Sequence, residues 1–165
     1  MEKQSTIQLV KVASEDKSLL SNLMQLYLYD LSVYFNFKTN NNGIYEYDHF
    51  EDYFTDTNYI PYFIYNDNEL IGFVLLNDYS PITNKHENII NVSEFFILKL
   101  YRKQGLSEIT FQTLLDMHKG VWTIKPAAFS KEANAFWKTI INKHIGSKIT
   151  TEVINNNPIY TFSNK

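Results

Sequence analysis

The six-residue run Ser93-Glu-Phe-Phe-Ile-Leu98, apolar but for its first two positions, constrains this chain more than any other feature. Such a run offers water no polar face, so it predicts a central strand covered on both sides by other elements. The turn Tyr101-Arg-Lys-Gln-Gly-Leu-Ser107 follows at once. Beyond it, apolar residues at Leu106, Ile109, Phe111, Leu114, Leu115 and Met117 recur at near-helical spacing over Leu106 to His118. A buried strand turning directly into an amphipathic helix predicts an α/β domain.

The rest of the chain alternates in the same way. Ile7 to Val12 reads as an opening strand, and Lys17 to Phe35 as one long helix or two broken ones. Lys38 to Gly43 is a turn or loop, and Tyr45 to Phe54 a short helix. Strands are expected at Tyr62 to Tyr65, Leu70 to Asp78 and Ile89 to Leu98, with Asn66 to Asn68 as the hairpin turn between the first two. A strand at Val121 to Lys125 and a helix at Ser130 to Asn142 come next. The tail, Lys148 to Phe162, reads as a hairpin interrupted at Asn155 to Pro158. With 165 residues, 44% of them hydrophobic, the chain can bury one core, and no linker or repeat divides it, so residues 1–165 are read as a single domain.

Arg102 is the only arginine among fifteen basic residues. Basic positions here default to lysine, so a lone guanidinium points to a place needing planar, forked donors. Gly105 stands at the expected helix entrance, where φ > 0 and close backbone approach are open to it. The unpaired N–H groups of a first helical turn carry about half a positive charge. Ser107 adds a hydroxyl. Together these features suit an anionic, phosphate-bearing ligand.

The composition excludes several classes. The chain has no cysteine, hence no disulfide, cysteine nucleophile or thiolate metal site. Its four histidines are scattered and lack metal-ligand spacing, so no metal is expected. A net charge of −3 leaves no basic stripe for nucleic acid. Met1 to Lys11 lacks a signal-like apolar core, and no run approaches the roughly 20 apolar residues of a membrane span. A soluble, cytoplasmic protein is expected.

The hexapeptide Arg102-Lys103-Gln104-Gly105-Leu106-Ser107 resembles motif A of the GCN5-related N-acetyltransferase (GNAT) superfamily, Arg/Gln-x-x-Gly-x-Gly/Ala after an apolar strand. Serine replaces the last small residue. Farther on, the family's Asn, Ala and Phe-Tyr series is matched by Ser130, Ala133 and Phe136-Trp137, so the alanine is kept while the asparagine and tyrosine are not. The resemblance spans roughly Glu69 to Asn142. It implies the acyl-CoA N-acyltransferase fold, a mixed central sheet splayed between strands four and five with flanking helices. It also implies acetyl-CoA as cosubstrate, held by Arg102, Lys103, Gln104, Gly105, Leu106 and Ser107, by the backbone of Phe95, Phe96 and Ile97, and by Ser130 and Trp137. The pantetheine arm would lie in the splay, pairing with strand four as an added strand does.

Acetyl transfer to an amine requires a neutral nucleophile, stabilisation of the oxyanion and a proton for the departing thiolate. An alkylammonium of pKa ~10.4 must first lose a proton. Glu94, the one acid of the strand-four run, is the candidate catalytic base; the alternative is an exposed or salt-bridged glutamate near the strand's start. Backbone N–H groups near Ile97 are the candidates for polarising the carbonyl. Trp137 has only an indole N–H and cannot replace the family's tyrosine acid, so it is a packing or pantetheine-contact residue, and Ser130, Tyr160 or water is left to protonate the thiolate.

The acceptor is expected at Tyr45 to Phe54, where Tyr45, Tyr47, Asp48 and Asp52 would receive a cationic amine by charge and cation–π contact. The same residues also fit a plain amphipathic surface helix. The expected partner is a small-molecule or peptide amine, and a homodimer is compatible with the chain. Acetylation of a protein amine, and a non-catalytic coenzyme A binding module, stand as alternatives.

Overall fold

The computed structural model describes residues 6–127, 130–146 and 148–165; the first five residues of the N-terminal segment read above lie outside it. Among the described residues seven strands form one sheet: β1 (Ile7–Lys11), β2 (Ile60–Asn66), β3 (Glu69–Ser80), β4 (Lys85–Ile97), β5 (Val121–Ile124), β6 (Thr150–Ile154) and β7 (Asn157–Ser163). Their order is β1-β2-β3-β4-β5-β7-β6. Only β4 and β5 run parallel; every other neighbouring pair is antiparallel. Four α-helices among the described residues accompany them: α1 (Lys17–Phe35), α2 (Asp52–Thr55), α3 (Leu106–Met117) and α4 (Lys131–Ile145). The expected mixed α/β architecture is therefore present, with α1 as one unbroken helix.

The two faces of the sheet carry separate cores, which is why the central strands are apolar at successive positions rather than alternate ones. On one face, Leu20, Leu23, Met24 and Leu28 of α1 pack on Phe63, Phe73, Leu75 and Phe96. On the other, Phe111 and Leu114 of α3 and Trp137 and Ile141 of α4 pack on Ile64, Val74, Leu76, Ile97 and Trp122. Period-2 alternation sends neighbouring residues such as Phe73 and Val74 to opposite cores.

The expected helix over Tyr45 to Phe54 is largely absent; only Asp52–Thr55 is helical. Tyr45, Tyr47 and Phe50 are half-buried while Glu46 and Asp48 are exposed, an alternation close to that of an extended chain. Local polar contacts favour that course. The side-chain oxygen of Asn40 accepts from the N–H groups of Asn42 and Ile44, and His49 takes φ 65°, a left-handed conformation that breaks a helix.

Candidate functional site

Glu94 is positioned by an irregularity of its own strand. The β3–β4 register passes from Leu75 opposite Glu94 to Leu76 opposite Val92, so Ser93 is an extra residue, a β-bulge. The bulge reverses the alternation of faces. Val92 packs in the α3–α4 core, yet Glu94, two residues on, is bonded to Tyr27 of α1 on the opposite face. Phe96 follows it there, while Phe95 and Ile97 turn toward α3 and α4.

The splay expected between strands four and five lies just past this bulge. Strand β5 pairs with β4 only at Ile90, Asn91 and Val92, and β4 continues to Ile97 with β3 alone as neighbour. The Leu98 N–H donates to the Ile71 carbonyl at 2.8 Å. Ile97 and Gly72, opposite each other one residue earlier, are therefore a non-hydrogen-bonded pair, and the N–H and C=O of Ile97 point away from β3, toward the gap.

Both carboxylate oxygens of Glu94 accept from tyrosines. The Tyr27 hydroxyl donates to Oε2, and the Tyr47 hydroxyl to Oε1 at 2.9 Å. Burial pushes the Glu94 carboxyl from 4.5 up to about 7, against the two hydrogen bonds, which pull it down. Both phenols are raised above their ordinary range, first by burial and then by the nearby Glu94 charge, so at neutral pH they remain donors. The site is thus a carboxylate held between two neutral hydroxyls and titrating near neutrality. Tyr27 was not foreseen, because in sequence it is one more ring on the core-facing side of an amphipathic helix. Nothing local in the chain marks it as polar in purpose.

Tyr47 also lines a groove of about 540 Å³ between α1 and the Ile44–Asp52 segment, together with Gln25, Tyr45, Asp48 and Asp52. Gln25 fixes this segment: its amide donates to the Tyr45 carbonyl and accepts from the Tyr45 N–H, both at 2.8 Å. The acidic residues are unequal. Glu51 pairs with Lys17 at 2.5 Å and Asp52 with His49 at 2.8 Å, whereas Asp48 has no ion pair among the described residues.

The Arg102–Ser107 loop leads into α3. Lys103 and Gly105 have φ 60° and 75°, and a Cβ built on Gly105 meets nothing within 4 Å. No side chain caps the first turn of α3. Lys103 and Gln104 are exposed, Leu106 is buried in the core and Ser107 is half-buried. Arg102 turns to the protein instead of outward: Nε donates to the Ile97 carbonyl at 2.7 Å, Nη2 to Asp30 Oδ2 at 2.5 Å, and the guanidinium lies 5.5 Å from the Phe96 ring. Ser130 is the N-cap of α4, its hydroxyl accepting from the Ala133 N–H at 3.0 Å. Trp137 is core, with ring centroids 5.2 Å from Phe95 and 5.4 Å from Phe111. No cluster of three or more His, Asp or Glu among the described residues could hold a metal, and no described helix is long and apolar enough to cross a membrane.

A family model described as the acetyltransferase (GNAT) family matches residues 25–138. No curated protein matches significantly. Solved structures share the fold at low identity. An acetyltransferase from Thermus thermophilus is 13% identical, with 95% of each chain covered and a TM-score of 0.66. NAA60 of Arabidopsis thaliana, in complex with a bisubstrate analogue, is 14% identical, covering 96% of this chain and 98% of its own, with a TM-score of 0.59. An aminoglycoside acetyltransferase from an uncultured soil metagenomic sample is 10% identical, covering 90% and 97%, with a TM-score of 0.57.

Proposed function

Because the chain belongs to the acetyltransferase (GNAT) family and is thereby an acetyl-CoA-dependent N-acetyltransferase, we propose that it acetylates the primary amine of a small cationic molecule, with Glu94 as base. The observation that carries this reading is the place of Glu94. It sits just past the bulge, where β4 parts from β5, and it shares Tyr47 with the groove beside α1.

The residues present suit the cosubstrate. Open space beside Gly105 admits a phosphate to the uncapped N-terminus of α3, and the outward-facing N–H of Ile97, whose carbonyl is already held by Arg102, suits the carbonyl of an amide-bearing arm. Acetyl-CoA supplies the acyl group, activated as a thioester. The protein supplies position and proton transfer. An ammonium in the groove faces Asp48 and Asp52; nearer Glu94, the less polar surroundings favour its neutral form. Glu94, ionised above about pH 7, takes the amine proton directly or through water as the C–N bond forms. The Ile97 N–H, which points away from β3, would stabilise negative charge on the carbonyl oxygen. As the C–S bond breaks, the thiolate takes its proton from solvent, since Trp137 is buried among aromatic rings, Ser130 caps a helix, and Tyr160 is buried in the α3–α4 core with its phenol raised by burial.

A second reading, acetylation of a protein amine, is favoured by the pairing of Glu51 and Asp52 with Lys17 and His49, which weakens the pull on a small cation. A screen of polyamines, aminoglycosides and N-terminal peptides that follows thiol release separates the two, the small cations being expected to turn over fastest. Gly105→Val tests the cosubstrate loop. Its β-branched side chain would intrude on the open space and strain a backbone at φ 75°, so the thermal shift given by acetyl-CoA should vanish, with circular dichroism and the ligand-free Tm reporting that the fold persists.

A further inference from the structure

Helix α1 carries two charged residues, Lys17 and Asp30, and Asp30 is spent on the cosubstrate side of the molecule. One oxygen of its carboxylate accepts from Arg102 Nη2 at 2.5 Å, and the other faces Lys99 Nζ at 3.0 Å. Arg102 in turn donates through Nε to the Ile97 carbonyl at 2.7 Å and lies over Phe96. The guanidinium therefore bridges a helix carboxylate and a strand carbonyl in two directions at once. A lysine ammonium cannot reproduce that planar fork, and Lys99, already on the same carboxylate, shows that charge alone was not lacking. The bridge closes over the last residues of β4, where the strand has lost its neighbour β5.

We infer that Asp30 is a positioning residue for the acetyl-CoA site, holding Arg102 as a latch that fixes Ile97 and the Lys103–Ser107 loop, so that the lone arginine shapes the site instead of gripping phosphate. This inference rests on the acetyl-CoA reading of the loop. The latch reverses the sign that charge alone would give. Taking a negative charge away from an anion-binding loop should by simple electrostatics tighten anion binding. If Asp30 only competed with phosphate for Arg102, Asp30→Asn would likewise free the guanidinium and tighten binding. A latch makes the opposite demand, because the loop loses its shape.

The test is acetyl-CoA affinity by calorimetry for the wild-type chain, Asp30→Asn, Arg102→Lys and the double variant. Each single variant should weaken binding by roughly tenfold or more, the worth of one charge-assisted hydrogen bond, and the double variant little further, since both act on one bridge. Tighter or unchanged binding in Asp30→Asn overturns the inference, as does a double variant whose loss is the product of the two single ones. Should Asp30→Asn fail to fold, Arg102→Lys decides alone: it keeps the charge but not the fork, and unchanged affinity there overturns the latch. Hydrogen exchange in ligand-free protein gives a second readout. The Leu98 and Tyr101 amides, bonded to Ile71 and Leu98 carbonyls, should exchange faster in Asp30→Asn, and equal protection overturns the inference too. Wild-type protein that binds no acetyl-CoA would strike the functional reading, while the exchange experiment would still judge the latch.

Discussion

At Glu94, place outweighs partners: two hydroxyl donors pull its pKa down, and burial still raises it to about 7. For catalysis, Glu94→Gln should lower kcat by roughly 10² to 10⁴ and leave acetyl-CoA affinity intact. It should also remove the acidic limb of the pH profile, which in the wild type rises through about pH 7 because the base acts only when ionised. For stability, the folded pKa lies above the ordinary value of 4.5, so the folded state holds the proton more tightly than the unfolded one. The stabilisation is fully present below about pH 4.5 and is lost as the pH rises through about 7, by at most about 3 kcal/mol. Urea unfolding at pH 5 and pH 8 should show this loss in the wild type and not in Glu94→Gln. Equal pH dependence in both proteins would mean that Glu94 titrates like an exposed glutamate.

Among the elements, β4 does the positioning and β3 sets where it lies. A Cβ on Gly72 would fall 1.9 Å from the Phe96 carbonyl oxygen, so the two strands approach more closely than any side chain allows. Gly72→Ala must push β4 away between Glu94 and Ile97. We expect a stability loss of about 1 to 3 kcal/mol, the usual cost of overpacking, with a fall in kcat at least as large as that from moving Glu94 by a few tenths of an ångström. Unfolding curves together with kcat would check it; a variant normal in both would mean that the strands separate without disturbing the site. A different joint is held by Asn164. Its Oδ1 accepts from the Gly120 N–H at 2.9 Å and Trp122 Nε1 at 3.1 Å, and its Nδ2 donates to the Leu115 and His118 carbonyls at 2.8 and 2.9 Å. The C-terminus thereby ties the end of α3 to the start of β5. Asn164→Asp removes both donations and sets a charge against two carbonyls, which should cost about 2 to 4 kcal/mol by denaturant midpoint.

For the molecule as a whole, charge is the variable that reaches the acceptor. The net charge is −3, and the groove beside α1 is bordered by Asp48 and Asp52. If a cationic amine is drawn there, added salt should raise its KM by screening over about 10 Å at 0.1 M. Replacing both aspartates with asparagine should raise the same constant in low salt and leave that of acetyl-CoA unchanged. The double variant should also lose most of its salt dependence. Unaltered steady-state constants would place the acceptor elsewhere and favour a protein amine that docks over a wider surface.

Periodicity and turn chemistry are local properties of a chain, so the order of strands and helices and the glycine turn into α3 were legible before any fold was known. Six of seven strands begin and end within three residues of where patterning put them, and only the fourth, which starts at Lys85 where Ile89 was expected, exceeds that. The family resemblance rested on the same stretch. Local reasoning failed where a residue's role depends on what lies across the fold. Tyr45 to Glu51 was read as helix because its link to Gln25 spans twenty residues. Tyr27 looked like core because its partner, Glu94, is sixty-seven residues away. Nothing near Arg102 in the chain announces its bond to Asp30, seventy-two residues earlier. The bulge at Ser93 has the same origin. A one-residue register shift is a property of two strands together, and it alone turned Glu94 from the α3–α4 core to the face where two tyrosines and the groove meet it.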